Sequence, residues 1–172
     1  DWPTFVPIGE LTRFAGDAVA AVVAGTKEIA DEALQLIKVE YEELEPVTDP
    51  KKALQTDAPK VHDKGNLLSR TYVKRGNPAE ALASSKYVVK NTYRTPALEH
   101  AFIEPESAVA FYDGDVLTMY VATQSIMHDH HEICRVLGLS HDKVRIILQN
   151  VGGGFGGKED LSVQHYAALG TF

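Results

Sequence analysis

The spacing of apolar residues changes several times along the chain, and each change predicts an element. Residues 17–24 are almost continuously apolar, which reads as a buried strand. From Lys27 to Ile37 the period becomes helical, with Ile29, Ala30, Ala33, Leu34 and Ile37 on one face and Thr26 placed to cap the first turn. Val39 to Glu43 returns to strand character, so the first part reads as a βαβ-like unit. Further on, Leu68–Lys74 and Tyr87–Tyr93 are β-rich, and between them Asn77-Pro78-Ala79-Glu80 opens a short helix. Ser107–Tyr112 and Val116–Val121 flank Asp113-Gly114-Asp115 as a hairpin. A helix follows from Ile126 to Leu137 and ends at Gly138, Ser140 is placed to cap a brief turn, and Val144–Leu148 is a buried strand.

The order of these elements predicts a mixed α/β fold in more than one piece. Pro46, Pro50 and Pro59 interrupt a polar stretch, so residues 50–66 read as a linker between an N-terminal piece, 1–49, and a second piece, 67–172. Within the second piece, Val116–Val121, the following helix and Val144–Leu148 form a strand–helix–strand unit. The loops after its two strands, at Gln124 and at Phe155, are expected to share one end, and ligands of such units sit beyond the carboxyl ends of the strands.

The second of those loops is Val151-Gly152-Gly153-Gly154-Phe155-Gly156-Gly157-Lys158-Glu159-Asp160, with five glycines in six positions. A helix is expected directly after it. Such a cluster lets the backbone approach a ligand closely and offers N–H groups at the positive end of a helix. Two nucleotide patterns fit by letter. Gly152, Gly154 and Gly157 satisfy G-x-G-x-x-G, but the 172 residues end before the position, about 20 further on, where an acidic residue would grip a ribose. Gly152 with Gly157-Lys158 begins a P-loop, but Glu159 stands where a magnesium-binding hydroxyl belongs. A nucleotide-binding module is the alternative to an oxo-anion site, and a turn serving only tight packing is the plainer one.

As a phrase, Gly152–Glu159 resembles the molybdenum hydroxylases, the xanthine dehydrogenase and aldehyde oxidase family. The resemblance extends to Arg13–Ala24, similar to the family's F-x-G-D-x-V-A-x-V-V-A segment, and to Val39-Glu40-Tyr41-Glu42-Glu43-Leu44. It continues through Glu99-His100, Ile103-Glu104-Pro105 and Ala122-Thr123-Gln124, in family order. It implies that 1–49 is the C-terminal part of a small α/β hammerhead-type domain. It implies too that 67–172 is the N-terminal part of the molybdopterin-binding domain. The resemblance gives Gln124, Gly154, Phe155 and Gly156 to cofactor binding, Phe155 to the wall of the substrate channel, and Glu159 to orienting the substrate.

The implied reaction is hydroxylation of a purine-like N-heterocycle or an aldehyde, with water as the oxygen source. The implied cofactor is a molybdopterin-type molybdenum centre, working with iron–sulfur clusters and FAD on partner subunits or domains and with the remainder of the molybdopterin subunit. Family large subunits are longer, so the chain is expected to be a fragment, inactive alone. A non-catalytic remnant of the fold is a further alternative.

Composition narrows the classes. The chain has 172 residues, 44% of them apolar, and a compact fold of that size would bury roughly 70% of the unfolded surface. A net charge of −7 with no basic stripe argues against nucleic acid. The single cysteine, Cys134, excludes a disulfide framework and, with no signal-peptide pattern or long apolar segment, points to a soluble cytoplasmic protein away from the membrane. Cys134 reads as a core residue. His128, His130, His131 and Glu132 lack a zincin spacing and read as solvent-facing, so no metal ligand is assigned. Glu99, His100 and Glu104 read as structural.

Overall fold

The computed structural model describes residues 3–172, so the first two positions of the 1–49 range lie outside the described residues. Its elements are α1 (Lys27–Leu36), α2 (Pro50–Ala53), α3 (Pro78–Ser84), β1 (Ala108–Asp113), β2 (Val116–Val121), α4 (Ile126–Leu137), a 3₁₀ turn (His141–Lys143), β3 (Val144–Leu148) and α5 (Gln164–Leu169). The chain divides into two compact units. One comprises residues 1–12, 16–38 and 98–172, the other 13–15 and 39–97.

The first unit is built on a three-stranded sheet in the order β1-β2-β3. β1 and β2 form the expected antiparallel hairpin around Gly114, and β2 runs parallel to β3 with Val121 opposite Leu148. β2 is the middle strand, so Leu117, Met119 and Val121 are buried, and they pack with Ile133 and Cys134 of α4, Val144 of β3 and Ala168 of α5. α4 spans the predicted residues and stops where Gly138 turns left-handed at φ 66°, its N–H reaching the Cys134 carbonyl. Ser140 precedes the 3₁₀ turn, as expected. α1 is capped by the Thr26 hydroxyl, which accepts from Ile29 N–H at 3.3 Å.

The second unit holds two short helices. Asn77 caps α3: its Oδ1 accepts from Glu80 N–H, and its Nδ2 donates to Glu80 Oε2 at 3.1 Å. The stretch 50–66 carries α2, and it is tied together by Asn66, which donates to the carbonyls of Ala53 and Pro59 and accepts from Val61 N–H.

Several expectations fail here. Residues 17–24, 39–43, 68–74 and 87–93 form no ladder among the described residues, although their composition is that of strands. A strand exists only where a second backbone supplies its hydrogen bonds, and sequence pattern does not report that partner. Their side chains are correspondingly open, as with Val73 at 88% exposure. The helix expected directly after the glycine loop is also displaced. α5 begins at Gln164 and has six residues. Gln164 Oε1 accepts from the Ser162 and Val163 N–H groups at its start. The glycine loop therefore does not sit on the positive end of a helix.

Candidate functional site

β2 and β3 end at the same sheet edge, where Gln149 N–H donates to the Val121 carbonyl at 2.9 Å. The chain after β2 (residues 122–125) and the glycine loop after β3 therefore leave side by side, as the strand–helix–strand reading predicts. They are joined by a dense set of hydrogen bonds centred on two residues, Gln124 and Lys158.

Gln124 touches the loop with both its backbone and its side chain. Its N–H donates to the Lys158 carbonyl at 2.8 Å, and its Oε1 accepts from Gly156 N–H at 3.0 Å and Lys158 N–H at 3.2 Å. Thr123 Oγ1 donates to the same Lys158 carbonyl at 3.2 Å. The side-chain oxygen of Gln124 is thus saturated, and its Nε2 has no acceptor among the described residues. An amide oriented in this way presents only donors outward.

The loop has no space for side chains where Gln124 crosses it. A Cβ on Gly154 would lie 2.6 Å from Gln124 Cδ, and one on Gly152 would lie 2.6 Å from Glu104 Cβ. These close approaches explain two of the glycines without any ligand. Phe155 adopts φ 53°, a conformation that side chains rarely take, with its ring 73% exposed at the tip.

The expectation of bare loop amides needs correction. Gly152 N–H donates to Glu104 Oε2 at 2.7 Å, Gly157 N–H to the Gly154 carbonyl at 2.8 Å, and Gly156 and Lys158 N–H to Gln124. The loop is held mainly by its own neighbours, because backbone donors without a partner are costly away from water. The N–H groups of Gly153, Gly154 and Phe155 are without an acceptor among the described residues.

In the sequence Lys158 stands out only as part of a P-loop pattern, and that reading fails. Its side chain is 1% exposed, and Nζ donates to Glu104 Oε2 at 2.6 Å and to the Glu104 carbonyl at 3.2 Å, 4.6 Å from the Phe102 ring centroid. An ammonium consumed in this way cannot meet a phosphate. Glu104, expected to be structural, clamps the loop: the Lys158 ammonium and then the Gly152 N–H hold its carboxyl below the usual carboxylate range. Phe102 escapes sequence reasoning altogether, since a single phenylalanine carries no spacing signal.

The remaining candidates lie at varying distances from this junction. Glu159 is exposed at the end of the loop. His100 sits beside Gly157, where a Cβ would lie 3.1 Å from its ring. His128 is exposed and 3.7 Å from Asp160, and His131 is exposed. His130 departs from its expected solvent-facing position: it is half-buried, with Nε2 at 3.1 Å from the carbonyls of both His141 and Val144. Cys134 is in the core, as expected, and burial pushes its thiol pKa up. No helix among the described residues is long and apolar enough to cross a membrane.

Comparison with known proteins fits this geometry. Residues 61–172 match the molybdopterin cofactor-binding domain, and residues 4–45 match the a/b hammerhead domain of aldehyde oxidase and xanthine dehydrogenase. The chain is 42% identical over 158 residues to a probable xanthine dehydrogenase subunit of Bacillus subtilis, covering 91% of this chain and 21% of that protein. It is also 42% identical over 166 residues to the nicotinate dehydrogenase large molybdopterin subunit of Eubacterium barkeri, covering 96% and 39%. The crystal structure of quinoline 2-oxidoreductase from Pseudomonas putida 86 superposes with a TM-score of 0.74 at 36% identity, covering 86% of this chain and 19% of that one. The chain thus spans between about a fifth and two-fifths of the length of these relatives. The ordered motifs, the matched cofactor-binding domain and the shared fold together make this chain a member of the molybdenum hydroxylases, the aldehyde oxidase and xanthine dehydrogenase family.

Proposed function

We propose that this chain contributes part of the cofactor-binding face of an oxidoreductase that hydroxylates a nitrogen heterocycle, with water as the oxygen source. The observation that carries the reading is the fixed amide of Gln124. Its oxygen is held by two loop N–H groups and its nitrogen is left as a donor, at the edge where both parallel strands end.

A molybdopterin-type molybdenum cofactor fits these residues. Its oxygen ligands need donors that add no charge, and the Gln124 Nε2 and the Gly154 and Phe155 N–H groups are of that kind. When bound, the cofactor supplies the two-electron oxidation chemistry. Gly154 lets Gln124 lie against the backbone, and Gly156 fixes the orientation of its amide. The open Phe155 ring walls the substrate approach. Glu159, with an exposed carboxylate, orients the ring nitrogens of a substrate. The names of two relatives concern nicotinate and quinoline, which favours an N-heterocycle over an aldehyde. Iron–sulfur and FAD subunits as electron carriers, the remainder of the molybdopterin subunit and a cytoplasmic setting belong to the same reading. So does a division into a hammerhead-type segment at 1–49, a connecting stretch at 50–66 and cofactor-domain sequence at 67–172, which the two matched regions support.

The test is molybdenum content and dye-coupled turnover of nicotinate, xanthine, quinoline and benzaldehyde by the purified protein with its partner subunits. Heterocycle oxidation is expected, with Gln124→Ala lowering kcat about tenfold or more. Protein free of molybdenum, or turnover of benzaldehyde alone, would overturn the reading.

A further inference from the structure

Outside the glycine loop, three side chains with metal-ligating atoms converge beside α4. His130 and Cys134 lie one turn apart on the helix, and His141 comes from the 3₁₀ turn that follows it. One ligand atom from each lies within 4.8 Å of the other two. We propose that His130, Cys134 and His141 form a binding site for a borderline-soft divalent cation of the zinc class, independent of the molybdenum chemistry.

The hydrogen bonds around His130 prepare it as a ligand. Its Nε2 faces two carbonyl oxygens, those of His141 and Val144, both at 3.1 Å. Carbonyls only accept, so Nε2 carries the proton and the neutral ring keeps an unprotonated Nδ1. Donation of the second ring N–H to a backbone carbonyl is the usual way a metal-binding histidine is oriented. That Nδ1 accepts a hydrogen bond from His141 Nδ1–H at 3.4 Å, and an ion would take the place of this proton as His141 shifts to its Nε2–H tautomer. The ring centroids are 5.2 Å apart, so the two rings approach through their Nδ1 edges.

The distances suit a tetrahedral ion. Two imidazole nitrogens at about 2.0–2.1 Å from zinc are about 3.4 Å apart, and a nitrogen and a thiolate sulfur about 3.6 Å. The His130–His141 separation already has that value. The three ligand atoms all lie within 4.8 Å of one another, so an adjustment of about 1 Å, shared between the side chains, brings the set to coordination distance. Binding converts the Cys134 thiol to a thiolate and releases its proton to solvent. A water completes the fourth position on the open His141 side. The nearby cations do not oppose an ion: Lys143 is paired with Asp115 and Arg135 with Glu132. The donor set of two imidazoles and one thiolate selects zinc, cobalt or nickel over magnesium or calcium.

Cobalt(II) reports the site directly, because a thiolate ligand gives a charge-transfer band and tetrahedral geometry gives intense visible bands. The purified protein, cleared of loosely held metal by a chelator, is titrated with cobalt(II) and read as difference spectra. One equivalent bound with both features is expected, displaced by zinc. Cys134→Ser should abolish the charge-transfer band. His141→Ala, at an exposed position, should weaken binding at least tenfold while leaving the fold intact, and His128→Ala should change nothing. Absence of the charge-transfer band in the unaltered protein, or equal affinity in the His141→Ala variant, would overturn the proposal.

Discussion

The Lys158 ammonium lies 2.6 Å from Glu104 Oε2, although the two residues are 54 positions apart in sequence. The same carboxylate oxygen accepts from Gly152 N–H at 2.7 Å, so one side chain fastens both ends of the glycine loop. This clamp makes the loop a fixed platform for Gln124, and its chemistry can be tested.

Replacing Lys158 with Met keeps the volume but strands Glu104. Lys158 is buried while Glu104 is part-exposed and keeps only the Gly152 N–H, so loss of the ammonium alone is more damaging than loss of both charges. Lys158→Met is therefore expected to lower the Tm and the molybdenum content, and the double variant Lys158→Met, Glu104→Gln to recover part of the Tm. Thermal melts and metal analysis of the three proteins check this.

The clamp also predicts a pH dependence. The Glu104 carboxyl is held below its ordinary value by Lys158 and Gly152. The stability it contributes is fully present above the unfolded carboxyl pKa, about 4.3, and is lost as pH falls through the lowered folded value. Melts of the unaltered protein and Glu104→Gln should differ most near neutrality and converge in acid.

Asp129 predicts the opposite sign. It is fully buried, Oδ2 accepts from Gln164 Nε2 at 3.1 Å, and Oδ1 has no partner. Burial raises its pKa, so the folded state favours the protonated acid. Stability then falls as pH rises from the ordinary aspartate range, about 3.9, through the raised value, and stays lower above it. Asp129→Asn should raise the Tm above that window and have little effect below it.

Gly154→Ala should distort the junction, since the new Cβ would overlap the Gln124 side chain. A cost of about 1–3 kcal/mol is expected from such crowding, with loss of molybdenum. Gly25→Ala, where a Cβ meets nothing within 4 Å, is the control. Denaturant midpoints and metal content separate the two.

In the core, Leu117 is 0% exposed on the central strand, and Leu117→Ala should cost about 2–5 kcal/mol. Val109, on the open face of β1, should cost no more than about 0.5 kcal/mol when changed to Thr. Urea unfolding midpoints check both.

Elements that close on themselves can be read from the residues alone. α4 with its Gly138 stop, α3 with the Asn77 cap, the Gly114 hairpin and the β3 strand all lie where local periodicity and capping put them. The adjacency of Gln124 and the glycine loop is legible too, because parallel strands joined through a helix bring their following loops to one edge. The segments at 17–24, 39–43, 68–74 and 87–93 mislead for a common reason. Apolar, branched composition prepares a strand but cannot say whether a second backbone lies beside it.

By itself the sequence determined α3, α4, the Gly114 hairpin, β3, the family and the adjacency of Gln124 to the glycine loop, since each depends on nearby spacing or on ordered motifs. Only the tertiary structure decided what the polar groups do. It directed Lys158 to Glu104 and away from any phosphate, and it took up most loop amides with Gln124 and Glu104. It also turned His130 inward to face His141. Buried charges and backbone donors must find partners wherever in the chain these occur, and that pairing acts through space rather than along the sequence.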